Sequence, residues 1–468
     1  MNPSDLPISP VHEGRSVRRI LWLIFLAGFA VILLVFGFWR LRLGGAVRSE
    51  VAAIRAKGLP VDWKDLEHWP MTVPDDRNAA LVFGKALDMV DDKSRDKIPR
   101  LVLPVRDAAI TNRDAIAEWV HSNAAAMEII YGITNAASSR YPVEYTDGPN
   151  ALLPHLAGIK TFAELFACDA LLKADQKDSV GAARDIEASI KLSQSLDAEP
   201  ILISQLVSIA VLSITTANLE RTFARTSLTD EQLLQLSKDF TTAEATNRFW
   251  MAMVGERASG NEMLRLLNDD PRAFIIMANK RTTEDEQTDV PPRYYRGYFI
   301  SLSGFWVRDR DFFLRAMETN IVAFAATPPA SLRFTNELDG IETNALRTFH
   351  MVSAMLLPAF GKVVLRDADV RAELRTAITA MAVERWRAAH EEKIPDSLTE
   401  LIPDFLPAVP QDPYDGQPLR FKKLAKGYVV YSIGPNGQDD GGKERIPYSI
   451  KVPQEERNRY DITFIVER

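Results

Sequence analysis

From Ile20 to Trp39 no side chain carries a charge. A helix of that length rises about 30 Å, the thickness of a bilayer's hydrocarbon core, and inside lipid a helix is one of the few forms that satisfies every backbone N–H and C=O internally. The run therefore predicts one transmembrane helix over 20–39, with a tail of residues 1–19 on one side and the remaining chain on the other. Trp22 and Trp39 stand near its ends, where aromatic rings suit the bilayer interface. A cleaved signal peptide would have a shorter apolar region followed by small residues, whereas Arg40 and Arg42 follow here at once, so a signal anchor is the reading. Arg15, Arg18 and Arg19 precede the span, and Arg40, Arg42, Arg48, Arg55 and Lys57 follow it. Those charges alone do not favour a cytoplasmic N-terminus. The short tail ahead of the span is the usual signal-anchor layout, and the expectation is a single-pass protein of the inner (cytoplasmic) membrane with its soluble body periplasmic or otherwise extracytoplasmic.

A chain of 468 residues exceeds the size at which one core usually keeps growing, so two soluble modules behind the anchor are expected. With 46% apolar and 25% charged residues, that body can bury a core. A formal net charge of -7 lacks the concentrated basic surface that phosphate backbones demand, which excludes nucleic acid as the expected partner. Cys168 is the single cysteine, so no intramolecular disulfide and no thiolate cluster can form. It lies in a helical-looking run, 162–172, where a thiol serves as a small hydrophobe.

From about Arg48 to Phe360 apolar residues recur every three or four positions, which predicts a mainly α body over 46–365. One helix is expected after Pro74-Asp75-Asp76, with an Asp as its cap, and continues through Phe83 and Leu87 to Val90. Another opens at Thr229-Asp230-Glu231 and runs through Leu233, Leu236 and Phe240 towards Trp250 and Met253. Between Leu156 and Leu212 the polar break Ala174–Asp178 separates two periodic runs, an αα-hairpin that resembles one tetratricopeptide-type unit. No clean 34-residue self-similarity accompanies it, so an irregular helical bundle and a tetratricopeptide-like array both remain open. Residues 279–292 are polar and end in Pro-Pro, which predicts a surface loop; Tyr294, Tyr295, Tyr298, Phe299, Phe305 and Trp306 then cluster, either as core or as the lining of a groove.

Catalytic motifs are scarce. His12, His68, His121, His155, His350 and His390 are scattered, and His390-Glu391-Glu392 lacks the second imidazole of a zinc-protease helix. Gly361-Lys362 lacks the upstream glycine and the Ser/Thr of a phosphate loop, and no Gly-x-Ser-x-Gly elbow occurs. Many carboxylates stand four residues from a base, such as Glu164 from Lys160, Asp169 from Lys173 and Glu244 from Arg248, the spacing of surface ion pairs on helices. A hydrolase with paired acids in a groove of the helical body remains the enzymatic alternative, since only the fold sets such a geometry. No catalytic residue is assigned.

After a last helix, about Ala368 to His390, the composition turns to Pro, Gly and β alternation, which predicts a small α+β domain over 368–468. Two strands are expected at 419–423 and 428–433 with a turn at Lys426-Gly427, and a third at 462–466 with Ile462, Phe464 and Val466 on one face. The order Glu384-Arg385-Trp386, Ile394-Pro395, Ser397-Leu398, Leu401-Ile402-Pro403, Val409-Pro410, Asp412-Pro413-Tyr414, Gly416, Pro418, Tyr428, Tyr431-Ser432-Ile433-Gly434, Gly437 and Asp461-Ile462 resembles the globular part of the major pseudopilin of type II secretion systems. It covers about eighty residues. The N-terminus departs from that family: Gly14 is followed by Arg15, and no Glu opens the apolar run, so prepilin-type processing is not expected. The whole layout resembles membrane-anchored bacterial proteins that carry this small domain at the C-terminus, and an exported domain agrees with an extracytoplasmic body.

In the pseudopilins the loop between the last strands binds calcium, and the matching loop is Gly434 to Gly442. The resemblance implies a calcium site built from Ser432, Asn436, Asp439, Asp440 and Asp461 with nearby carbonyls, because calcium takes roughly six to eight oxygens. Asn436 stands where the family commonly has Asp, and Tyr460 where it has an acidic or polar residue, which would weaken the shell. A solvated acidic loop without metal is the plain alternative. Together these readings describe a non-enzymatic, membrane-anchored interaction scaffold, with lipid and protein partners and an unassigned oligomeric state; a hydrolase and an accessory component of a secretion system are the alternatives.

Overall fold

The computed structural model describes residues 13–70, 73–91, 103–133, 139–270, 301–357, 360–446 and 450–467. The expected loop at 279–292 and the aromatics from Tyr294 to Phe299 lie outside them. The molecule is mainly α with one small antiparallel sheet near its C-terminus.

Helix α1 runs unbroken from Glu13 to Ala56, well beyond the apolar span. From Ile20 to Leu41 its large apolar side chains are exposed, as a bilayer-facing surface must be, and this segment is a candidate membrane span. Beyond it the same helix enters the body: Val47 and Ile54 are buried with Val61 and Leu314. Helix α2 follows at Trp63–Leu66 and α3 at Ala79–Leu87. The cap of α3 is not an Asp. Asp75–Arg77 form a 3-10 turn, and Asn78 Oδ1 accepts from the backbone N–H of Ala80 while also holding the N–H of Arg140. An acceptor one residue before the first turn meets the free N–H groups, and Asp75 and Asp76 lie too far upstream to do so.

Helices α4 (Arg113–Ser122) and α5 (Ala124–Tyr131) lead to a 3-10 segment, Tyr145–Asn150. Then α6 (Pro154–Asp175) and α7 (Ser179–Gln194) form the expected hairpin across the polar break, with Asp178 capping α7. Ala170, Ala174 and Ala182 are fully buried where the two helices meet, and Cys168 is buried among apolar neighbours. Lys173 does more than pair with Asp169: its ammonium also lies 3.0 Å from Asp185 on the other helix, which the Tyr131 hydroxyl also bonds, so this pair is a tie across the hairpin and not a surface contact.

Helix α8 (Leu202–Arg225) packs on α6 and α7; long and apolar enough to span a bilayer, it is more than half buried inside the body. Helix α9 (Asp230–Ala245) begins with a full capping box, Thr229 with Gln232. The expected continuation to Met253 is broken at Thr246-Asn247, and α10 (Arg248–Asp269) starts a new direction. That break also separates Glu244 from Arg248: Glu244 pairs with Arg371 and Arg375, and Arg248 turns inward towards Asp197. Helices α11 (Phe305–Ala325), α12 (Thr335–Arg347) and α13 (Met351–Leu356) precede α14 (Phe360–Ala389), which runs without interruption across the boundary expected near 365–368.

The sheet has the order β1 (Arg420–Leu424), β2 (Gly427–Ser432), β3 (Ile462–Val466), with a short α15 (Gln454–Arg457) before β3. Tyr428 pairs with Val466 and Val430 with Phe464. These four side chains face α14 and α8 and belong to the same apolar cluster as Phe223, Leu374, Ala377 and Met381. Strand alternation puts Val429, Tyr431 and Ile465 on the opposite face. The Tyr428 hydroxyl, inside this contact, donates to Glu384 Oε1 at 2.9 Å. Body and tail are thus built on one core.

Candidate functional site

Two concave regions carry chemistry. The first is a cavity of about 300 Å³ bordered by α2, the Tyr145–Asn150 segment, the turn that opens α8, and helices α10 and α11. Glycine makes its walls possible. Gly148, at φ +58, lies against the Trp63 indole, and Gly260 lies against the Phe313 ring; a Cβ at either place would overlap those rings. Gly255 likewise lets α10 touch the Pro200 carbonyl. Trp63, Tyr145 and Phe313 are all buried, so their rings form a fixed aromatic wall. Asn261 ties the frame together: its Nδ2 donates to Val61 O at 2.6 Å, and its Oδ1 accepts from Arg310 Nε at 2.7 Å.

Among the described residues lining this cavity, the ionisable side chains are Glu256 and Tyr145. Oε1 of Glu256 accepts the Leu202 N–H at 2.9 Å, satisfying a free donor in the first turn of α8. Partial burial of the carboxyl pushes its pKa above the ordinary carboxylate range, the Leu202 hydrogen bond opposing that shift. His155 and Arg257 do not line the cavity and are buried with partners of their own. His155 Nε2 lies 2.8 Å from Glu199 Oε1 with the Tyr141 ring stacked on it at 4.1 Å, and Arg257 pairs with Glu318 at 3.2 Å. The first pair braces the Glu199-Pro200 turn.

The second region joins the tail to the body. A polar cleft of about 240 Å³ lies between α8, α14 and the tail residues Glu444, Arg445 and Tyr460 to Thr463. Ser213, Thr216 and Glu220 project from one face of α8, and Arg366, Asp369 and Glu373 from one face of α14. Burial raises the carboxyls of Glu220 and Glu373 to about 7 each. Glu220 Oε1 accepts the Ile465 N–H at 3.0 Å, covering an otherwise open donor on the edge strand β3, and Glu373 Oε2 accepts from Ser213 Oγ at 2.6 Å.

The loop 434–442 is tied to this cleft through Asp461, and the five residues expected to hold calcium divide there. Asn436 Nδ2 donates to Asp440 Oδ2 at 2.7 Å, and Asp461 accepts the N–H groups of Asp440 and Gly442, so these three share one side of the loop. Ser432 turns inward, donating to Asp412 Oδ1 at 2.8 Å. Asp439 faces Arg420, with Oδ2 3.9 Å from Nε. Among the described residues no three His, Cys, Asp or Glu side chains converge as a metal shell. A shell drawn from all five requires Ser432 to leave Asp412 and Asn436 to present its oxygen in place of its amide nitrogen.

Sequence reasoning named Asp412 only as part of a motif. It is fully buried and holds the tail together, accepting from Ser432, from the N–H groups of Ile433 and Tyr414, and from Arg420 at 2.6 Å. Glu256 was not singled out; its signal was a carboxylate on a helix whose Gly255 and Gly260 mark close approach of other chain segments. No family model matches the chain, and no curated protein or solved structure is significantly similar to it.

Proposed function

We propose that the protein is a membrane-anchored, non-catalytic binding scaffold, held by α1 in the inner membrane with its body extracytoplasmic and lying against the bilayer. The observation that carries this reading is an apolar surface beside the anchor. Arg40 Nη2 reaches Ser301 O at 3.3 Å, and Gly304 abuts Trp39 and Arg40, which brings the start of α11 beside the end of the apolar span. Arg308, in the first turn of α11, donates to Thr348 O and Phe349 O, and Asp309 accepts the N–H groups of Val352 and Ser353, so α13 is clamped to the same end. Leu302, Phe349, Met351 and Met355 are all more than half exposed there. Large exposed apolar groups next to an anchor are stabilised by lipid contact. A body spanning residues 46–468 is expected to float with anionic or zwitterionic vesicles, and Phe349→Glu with Met355→Glu to release it; a parent body that never floats would overturn the bilayer contact. Fractionation of the full chain into the soluble phase would remove the anchor itself.

The hydrolytic alternative draws on the Glu220 and Glu373 carboxyls, but each is committed to holding a neighbour, and the described residues lining that cleft include no imidazole. Calcium, implied by the pseudopilin resemblance, would bind through Asn436, Asp440 and Asp461 with loop carbonyls. Millimolar calcium against chelator is then expected to raise the melting midpoint of the 46–468 body, and an unchanged midpoint removes the ion from the proposal.

A further inference from the structure

We propose that the cavity walled by Trp63, Tyr145 and Phe313 binds a small organic ammonium ion whose positive charge faces the Glu256 carboxylate. Among the described residues, Glu256 receives one hydrogen bond, from the Leu202 N–H, and no cationic side chain pairs with it. Arg257, next in sequence, is spent on Glu318. Burial alone favours the neutral acid at Glu256, so a cation bound in the space in front of it draws the group back to its charged form, and the two charges stabilise each other. Three aromatic side chains line that space, and an aromatic ring attracts a desolvated ammonium that lies over its face. Glycines at 148 and 260 hold two of these rings tightly in place, so the cage needs little ordering when the ligand enters. The volume, about 300 Å³, lies at the small end of ligand pockets.

The lining also says what the ligand lacks. Among the described lining residues there is no Lys or Arg to meet a phosphate or carboxylate, so the ammonium arrives free and not on a phosphodiester headgroup. Pro149, Ala151, Leu153, Met263 and Leu356 suit short apolar substituents on the nitrogen.

The test uses the detergent-solubilised full chain and calorimetric titration with choline, its uncharged isostere 3,3-dimethyl-1-butanol, and glycerophosphocholine. Choline is expected to bind at least about tenfold more tightly than either of the others, the span of roughly one desolvated cation–π contact. Glu256→Gln keeps an acceptor for Leu202 and is expected to weaken choline by about tenfold or more without changing the isostere. Trp63→Leu, which leaves the carboxylate in place, is expected to weaken choline comparably, so the proposal does not hang on one variant's folding. Equal affinity of the uncharged isostere, equal affinity of glycerophosphocholine, or no heat from choline up to about 10 mM with an intact melting transition would each overturn it.

Discussion

At the scale of single residues, the polar groups that decide stability are those removed from water and given partners by distant segments. Asp412 has four donors around one buried carboxylate, drawn from positions 414, 420, 432 and 433. Asp412→Ala strands Arg420 and Ser432 and is expected to lower unfolding free energy by about 3 kcal/mol, read from denaturant melts of the 46–468 body. Glu220 gives a pH dependence whose sign follows from its environment. Burial raises its folded value from an ordinary 4.5 to about 7, so between those values the folded state holds a proton that the unfolded state has released. The Glu220 contribution is therefore fully present below about pH 4.5 and is lost as pH climbs through about 7. Relative to the parent, Glu220→Gln should gain up to about 3 kcal/mol between pH 4.5 and 8; a pH-independent difference would mean that Glu220 is not protonated in the folded protein.

At the scale of elements, glycine positions separate close approach from open surface. Gly255 on α10 meets the Pro200 carbonyl with no room for a Cβ, whereas Gly340 on α12 has no neighbour within 4 Å. Gly255→Ala is expected to cost about 3 kcal/mol or more because backbone must move, while Gly340→Ala should stabilise by about 0.5 to 1 kcal/mol through helix propensity. Thermal melts of the two variants, which carry the same chemical change, distinguish these effects directly. Strand positions were legible: the residues expected at 462–466 form β3, and the other two strands differ from expectation by one residue at each end. Alternation over five or six residues, bounded by turn chemistry at Lys426-Gly427, is a local property. The end of α9 was not legible, since an apolar period of 3.6 runs on through Thr246-Asn247 while the helix axis does not.

At the scale of the whole molecule, the apolar face of the sheet and the helices behind it form one cluster. Removing residues 394–468 uncovers Phe223, Leu374 and Met381, so the truncated body is expected to lose its cooperative transition and aggregate. The intact 46–468 body should melt in one step by circular dichroism and calorimetry alike; two resolved steps would mean that tail and body are separate folding units. The sequence suggested two modules because the chain exceeds the usual size of one core and its composition changes abruptly near residue 390. Composition reports secondary structure, and it is silent on whether two elements share a core.

What the chain determined by itself is what local physics decides. Twenty uncharged residues make a candidate span, a 3.6-residue period makes a mainly α body, and two-residue alternation makes three strands. Tertiary structure alone decided where charges meet. It gave Glu244 to Arg371 and Arg375, Lys173 to a second helix, Ser432 to Asp412, and placed Glu256 against an aromatic cavity. The reason is that helix and strand formation depend on neighbours a few residues away, whereas a side chain's dielectric surroundings and partners depend on segments up to several hundred residues distant, which only packing brings together.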